Sequence, residues 1–260
     1  MTLLATEPSE SLATPTELSC CPFVELRQYT LHPGQRDVLI DLFDREFVEP
    51  QEALGIRVIG QFRDLDRPNY FVWLRGFSDM ESRLQALTAF YSGPVWKDHR
   101  EAANLTMIDS DNVLLLHPTR PGSGFPAETR ERLPVDSSEV AEGFVVATIY
   151  YLDAPAGSEL IDFFEQTVVP VAAESGVQVL ASFVTDASPN TYPALPVREG
   201  EQVFVWFAIY RDAAEYEERL VALGRSERWK REVEGELGRR AKGAPEVLRL
   251  APTGRSRLRG

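Results

Sequence analysis

Two arginines and a tyrosine are the side chains best equipped for chemistry. Arg27 and Tyr29 alternate with Glu25 along one short stretch, and Arg75 follows Trp73 in another. A guanidinium offers paired donors in fixed geometry, so Arg27 and Arg75 can clamp the carboxylate, phenolate or enolate of a small molecule. Tyr29 can donate a proton or hold a carbonyl oxygen. The competing reading makes Glu25 and Arg27 a buried network that neutralises itself and leaves Tyr29 a packing residue.

Other reactive types are sparse. The chain has three histidines. His32 lies in a Pro-Gly turn, and His117 ends a strand. His99 has Asp98 beside it, but neighbours on a helix point about 100° apart, so Asp98 is badly placed to orient it as a base or haem ligand. Cys20 and Cys21 are adjacent, a spacing that disfavours a disulfide between them, and they read as free thiols. No metal-ligand spacing, Gly-rich phosphate loop or nucleophile elbow appears, so neither a metal nor a cofactor is expected.

The elements that must position these groups come in two copies. Phe23-Val24, Tyr29, Leu39-Ile40-Asp41 and Phe43 recur at one offset as Phe144-Val145, Tyr150, Leu160-Ile161-Asp162 and Phe164. Beyond an insertion in the second copy, Phe71-Val72-Trp73, Asp79 and Trp96-Lys97 recur as Phe204-Val205-Trp206, Asp212 and Trp229-Lys230. The insertion, Asp186 to Glu201, is broken by Pro189, Pro193, Pro196 and Gly200. Each copy reads strand, helix, strand, strand, helix, strand, the ferredoxin-like βαββαβ plan. Pro50 predicts an early end or kink in the first helix, Gly55 its stop, and Ser78 or Asp79 the cap of the second.

The expected organisation is a disordered leader over 1–21, a first repeat over 22–118, a linker over 119–142, a second repeat over 143–252 and a solvated basic tail over 253–260. The fold class is α+β, with the two repeats closing into one barrel. Strand alternation puts Leu26, Val58, Val72, Leu74, Leu114 and Leu116 on one face, an aliphatic set suited to packing under helices. Glu25, Arg27, Tyr29, Arg57, Ile59, Gln61, Trp73 and Arg75 fall on the other. Two such faces laid together predict a barrel cavity lined by these groups.

The run Val24-Glu25-Leu26-Arg27-Gln28-Tyr29-Thr30-Leu31-His32-Pro33-Gly34 resembles the opening motif of the NIPSNAP family, with Trp73 and Trp96 similar to its later positions. The resemblance implies the dimeric α+β barrel fold. In the second repeat Val146 and Thr148 replace Glu25 and Arg27, and only Tyr150 is kept, so one site rather than two is expected. The superfamily contains cofactor-free monooxygenases, isomerases, cyclases and haem enzymes, and the fold does not choose among them.

Composition bounds the rest. In 260 residues, 43% are hydrophobic and 26% charged, as in a globular protein. A net charge of -13 argues against nucleic acid as partner, since phosphate binding needs a positive surface. No apolar run is long enough to cross a bilayer. Glu7, Glu10 and Glu17 without a basic residue speak against a secretory leader, which makes the cytoplasm the default location.

The sequence therefore predicts a cofactor-independent enzyme acting on a small aromatic or polyketide-like molecule in the barrel. Arg27, Tyr29 and Arg75 are the catalytic candidates, with Glu25, Arg57, Gln61, Trp73, His117, Tyr150 and Trp206 as substrate contacts. The alternatives are a non-catalytic ligand-binding or interaction protein, and a haem enzyme. A barrel interior filled by its own side chains would exclude the first reading. Substrate, reaction type and homodimer formation stay open.

Overall fold

The computed structural model describes residues 19–127, 130–135, 137 and 141–259. Strand β1 (Phe23–Leu31) ends at the His32-Pro33-Gly34 turn, where Gly34 takes a φ of 79°. Helix α1 (Arg36–Leu42) passes into a π-helical stretch (Phe43–Phe47) and on into α2 (Val48–Ala53), stopped by Gly55 at a φ of 85°. The early end predicted at Pro50 is not observed. A proline ring collides with the carbonyl four residues back in a tight helix, and the wider π turn just ahead absorbs that clash.

Strands β2 (Arg57–Asp64) and β3 (Tyr70–Phe77) follow. Asp79 caps α3 (Met80–Ser92) by accepting from the Ser82 amide at 2.6 Å. Gly93-Pro94 breaks the helix and starts α4 (Pro94–Asn104), and β4 (Met107–Pro118) completes the module.

The second module repeats this order. It runs β5 (Phe144–Leu152), α5 (Ser158–Phe163), a π stretch (Phe164–Val168), α6 (Val169–Glu174), β6 (Gln178–Thr185) and β7 (Gln202–Tyr210). It ends with α7 (Ala213–Arg225), α8 (Glu227–Trp229), a π stretch (Lys230–Glu234), α9 (Gly235–Arg240) and β8 (Glu246–Pro252). The π turn after the first helix stands at matching positions in both halves.

The strands close into an antiparallel barrel in the order β1-β3-β2-β8-β5-β7-β6-β4. Two seams join the modules: Phe62 to Asp64 of β2 on Leu250 to Pro252 of β8, and Leu116 to Pro118 of β4 on Phe183 to Thr185 of β6. Closure leaves no strand edge unpaired, which neither four-stranded sheet achieves alone.

The faces are the reverse of those predicted. Leu26, Val72, Leu74, Leu114 and Leu116 point into the barrel and pack with Phe62, Phe183 and Phe207 from around the ring. Phe125, from between the modules, joins them with its ring centroid 4.9 Å from those of both Phe183 and Phe207. The interior is thus filled by side chains where a substrate cavity was expected. Tyr29, Trp73 and Phe77 instead lie under the helices with Phe43, Phe47, Leu87 and Phe90. Both faces of each sheet are buried, so hydrophobicity alone could not say which faced the helices. A bulge between Val58 and Gly60 also shifts the parity of β2, putting Val58 under the helices and Ile59 inside.

The segment after β8 is not a solvated tail. It continues alongside β2 through the Thr253 and Leu258 amides, which donate to the Gln61 and Ile59 carbonyls. Ser256 and Leu258 are buried, while Arg255 and Arg257 pair with Glu49 and Glu52 on α2. An apolar residue among the arginines, meeting an acidic helix, pulls the segment onto the barrel. At the other end, Ser19 bridges Pro126 and Cys21 is buried in the interior core, so residues 19 to 21 are not loose either. The remainder of the predicted leader lies outside the described residues.

Candidate functional site

Alternation along β1 places Glu25, Arg27 and Tyr29 on the helix side, and the register with β3 sets them opposite Arg75, Trp73 and Phe71. Arg83 reaches the same point from α3. Glu25 is the hub: Arg27 Nη1 and Arg75 Nε donate to its Oε2 at 2.6 and 2.7 Å, and Arg83 Nε donates to Oε1 at 2.7 Å. All four residues are 0% exposed. Burial pushes the Glu25 carboxyl up, but Arg75, Arg27 and Arg83 outweigh it and hold the group well below the usual carboxylate range.

Among the described residues no second carboxylate lies in ion-pair reach of Arg27, Arg75 or Arg83. Three guanidiniums therefore face one carboxylate, and the cluster keeps a formal excess of two positive charges. Arg75 Nη2 has no hydrogen-bond partner. The arginines and Glu25 do form a buried ion network, but its formal charge does not cancel, and an uncompensated buried charge costs several kcal/mol.

The excess charge lies behind an aromatic wall. The Arg27 and Arg75 guanidinium carbons sit 5.5 and 5.1 Å from the Trp73 ring centroid. Arg27 Nε donates to the Tyr29 hydroxyl at 3.0 Å, and Arg75 Nη1 approaches the Tyr91 hydroxyl at 3.5 Å. Because the Tyr29 oxygen accepts from Arg27, its own proton is free for another acceptor. Burial raises the Tyr29 pKa despite the opposing pull of Arg27, so the group stays a phenol at neutral pH.

In front of the wall is a cavity of about 30 Å³ lined by Tyr29, Phe43, Phe47, Trp73, Tyr91 and Trp96 among others. It has room for one or two water molecules. The π turn delivers two of these residues, with Phe43 4.8 Å from Trp73 and Phe47 5.6 Å from Trp96.

The predicted site residues are thus only partly brought together. Glu25, Arg27, Tyr29, Trp73 and Arg75 form one cluster, under the helices rather than in the barrel. Tyr150 and Trp206 occupy the equivalent layer of the second module, where Val146 and Ala208 replace Glu25 and Arg75 in an apolar cluster. Tyr216, at the position of Arg83, packs 5.3 Å from Phe144 there. Gln61 donates to Asp44 at 3.0 Å, away from the cluster. Arg57 reaches the Ala127 carbonyl, and His117 stands at the β4–β6 seam with Nδ1 2.9 Å from the Pro118 carbonyl. His99 faces Glu46 at 3.5 Å, and Asp98 does not orient it. Among the described residues no group of three His, Cys, Asp or Glu side chains is placed to hold a metal. No helix there is long and apolar enough to cross a membrane.

Arg83 and Tyr91 were missed. Arg83 had a signal: it falls on the buried stripe of α3 with Ala86, Leu87 and Phe90, where an arginine needs a buried partner.

Fold and layer together define a dimeric α+β barrel assembled within one chain. The NIPSNAP family model matches residues 24–121, the span of the first module. Two solved structures share the architecture over most of their length. One is a protein from Lactobacillus acidophilus provisionally named a monooxygenase, 15% identical, with 89% of this chain and 94% of that one covered and a TM-score of 0.51. The other, from Fusobacterium nucleatum and named the same way, is 10% identical, with coverages of 93% and 96% and a TM-score of 0.54. An uncharacterized NIPSNAP-like domain protein from Burkholderia xenovorans is 27% identical over 37% of this chain and 84% of its own, with a TM-score of 0.35. No curated protein matches the sequence.

Proposed function

We propose that the first module is a cofactor-independent enzyme site that binds a small, planar, acidic molecule as its enolate or phenolate. The observation that carries this reading is the buried excess of positive charge behind Trp73 and Tyr29, present in one module and absent from the other. An anion in front of the wall accepts the Tyr29 hydrogen bond while Arg27 and Arg75 supply the compensating field. Binding the conjugate base lowers the substrate's pKa, and its proton leaves to water. Glu25, held ionised by three arginines, is too weak a base to take that proton. The resulting carbanion is the species that isomerises, cyclises or reacts with oxygen.

A second reading is a binding site without turnover; on either reading the small cavity must widen to take the molecule. Deuterium uptake at the acidic C–H of a panel of cyclic 1,3-diketones and naphthols, followed by NMR, separates the two. The enzyme reading expects exchange above the buffer rate, lost in Arg27→Met and Tyr29→Phe and kept in Thr148→Ala and Gln178→Ala of the second module. Buffer-rate exchange across the panel would leave only the binding reading, and equal losses from both modules would sink the one-sided site.

A further inference from the structure

The insertion that distinguishes the second module folds over the charged cluster of the first. Strand β6 runs beside β4, so the 186–201 connection leaves the barrel next to α3. Arg83 Nη1 donates to Asn190 Oδ1 and Thr191 Oγ1, both at 3.0 Å, and Thr191 Oγ1 donates to the Met80 carbonyl at 3.3 Å. Tyr192 lies on Tyr91 with ring centroids 5.9 Å apart and planes 24° from parallel. The loop is braced from within, Asn190 binding the Glu199 carboxylate and the Leu195 carbonyl.

The corresponding connection of the first module, 65–69, is short and lies against the second module, where Asp66 pairs with Arg249. The long loop and the arginine cluster thus occur together on one side of the pseudo-symmetric molecule. Two neutral oxygens meet a guanidinium that belongs to a cluster with surplus positive charge, and a phenol ring stacks on Tyr91 beside them.

We propose that Asn190, Thr191 and Tyr192 hold the place of a ligand, and that the seat beneath them takes an aromatic carboxylate. The carboxylate oxygens would replace the Asn190 and Thr191 oxygens on Arg83, and its ring would replace Tyr192 on Tyr91. An anion is preferred over the loop's neutral acceptors because charge-assisted bonds to guanidinium are stronger and the cluster's excess charge is reduced. The loop is a competitor for that seat, so a ligand's apparent affinity is lowered by the fraction of chains in which the loop is closed. This inference rests on the reading of the cluster as a ligand site and adds the ligand's chemistry and the gate.

The test is calorimetric titration of the full chain with 1-naphthoate and with neutral 1-naphthamide. The loop variant carries Asn190→Gly, Thr191→Gly and Tyr192→Gly together, changes confined to half-buried loop positions. The expected result is naphthoate binding about tenfold or more tighter in the loop variant than in the unaltered chain, with naphthamide gaining less than about threefold. Arg83→Met in the loop variant should abolish the gain. Equal naphthoate affinity with and without the loop residues, or an equal gain by naphthamide, overturns the proposal. Should the Arg83 variant fail to fold, the naphthoate and naphthamide pair in the loop variant alone still decides. A loop-dependent naphthoate site in a protein that shows no deuterium exchange sinks the enzyme reading and leaves this one standing. Exchange without loop-dependent binding does the reverse.

Discussion

Glu25 and the arginines around it are not interchangeable in their effect on stability. Removing the carboxylate leaves three buried guanidiniums repelling one another, whereas removing one arginine lowers an existing excess. Glu25→Gln should cost about 3–5 kcal/mol in denaturant unfolding, and Arg27→Met clearly less. The reverse order would restore the structural-network reading. Asp44 makes a second prediction. Burial pushes its carboxyl up to about 6 from 3.8, against the opposing Arg255 and the Gln61 hydrogen bond. The folded chain therefore keeps a proton that the unfolded chain has released, so this contribution is full below about pH 4 and is lost as pH rises through about 6. Asp44→Asn should flatten that fall, which is on the order of 3 kcal/mol, in stability measured against pH. Glu25, depressed rather than raised, has the opposite sign: its contribution is lost only as pH falls well below the ordinary carboxylate range. At this scale Glu25, Arg27, Tyr29 and Arg75 were legible as a group, because alternation on β1 and β3 sorts them to one side. Arg83 showed only that it needed a buried partner, from its place on the apolar stripe of α3; that the partner is Glu25 was not legible, because no pattern joins a helix position to a strand face.

Among the elements, the caps were readable and the π turns were not. Asp79 and Asp212 each accept from the backbone amide three residues on, at 2.6 and 2.8 Å, and stand at matching positions before α3 and α7. Asp79→Ala and Asp212→Ala should each lower stability, and their effects should add in the double variant, since the two caps lie in separate modules. A coupling above about 0.5 kcal/mol in that cycle would show that the modules communicate through their second helices. The apolar spacing of Leu39, Phe43 and Phe47 predicts a helix correctly. One extra residue in a turn leaves no mark in that spacing, and Pro50 therefore read as an early end or kink.

For the molecule as a whole, each four-stranded sheet buries its aliphatic face only against the other. A fragment of residues 22–118 would expose Val24, Leu26, Val72, Leu74, Leu114 and Leu116 together, and would leave the β2 and β4 edges unpaired. In size-exclusion chromatography it should run as a self-associated species or be unfolded. A monomeric fragment melting with the full chain would mean that the barrel is not one cooperative unit. Duplication, element order, the one-sidedness of the charges and the position of the insertion could all be read from the amino-acid sequence, because each is a local pattern or a comparison of one stretch with another. Which sheet face meets the helices could not. Alternation has a period but no sign, and both faces here end up buried, so no polar side marks the outside. Barrel closure sets that sign, and with it puts Phe125 and Leu258 in the interior and the arginines under α3, beneath a loop supplied by the other half of the chain.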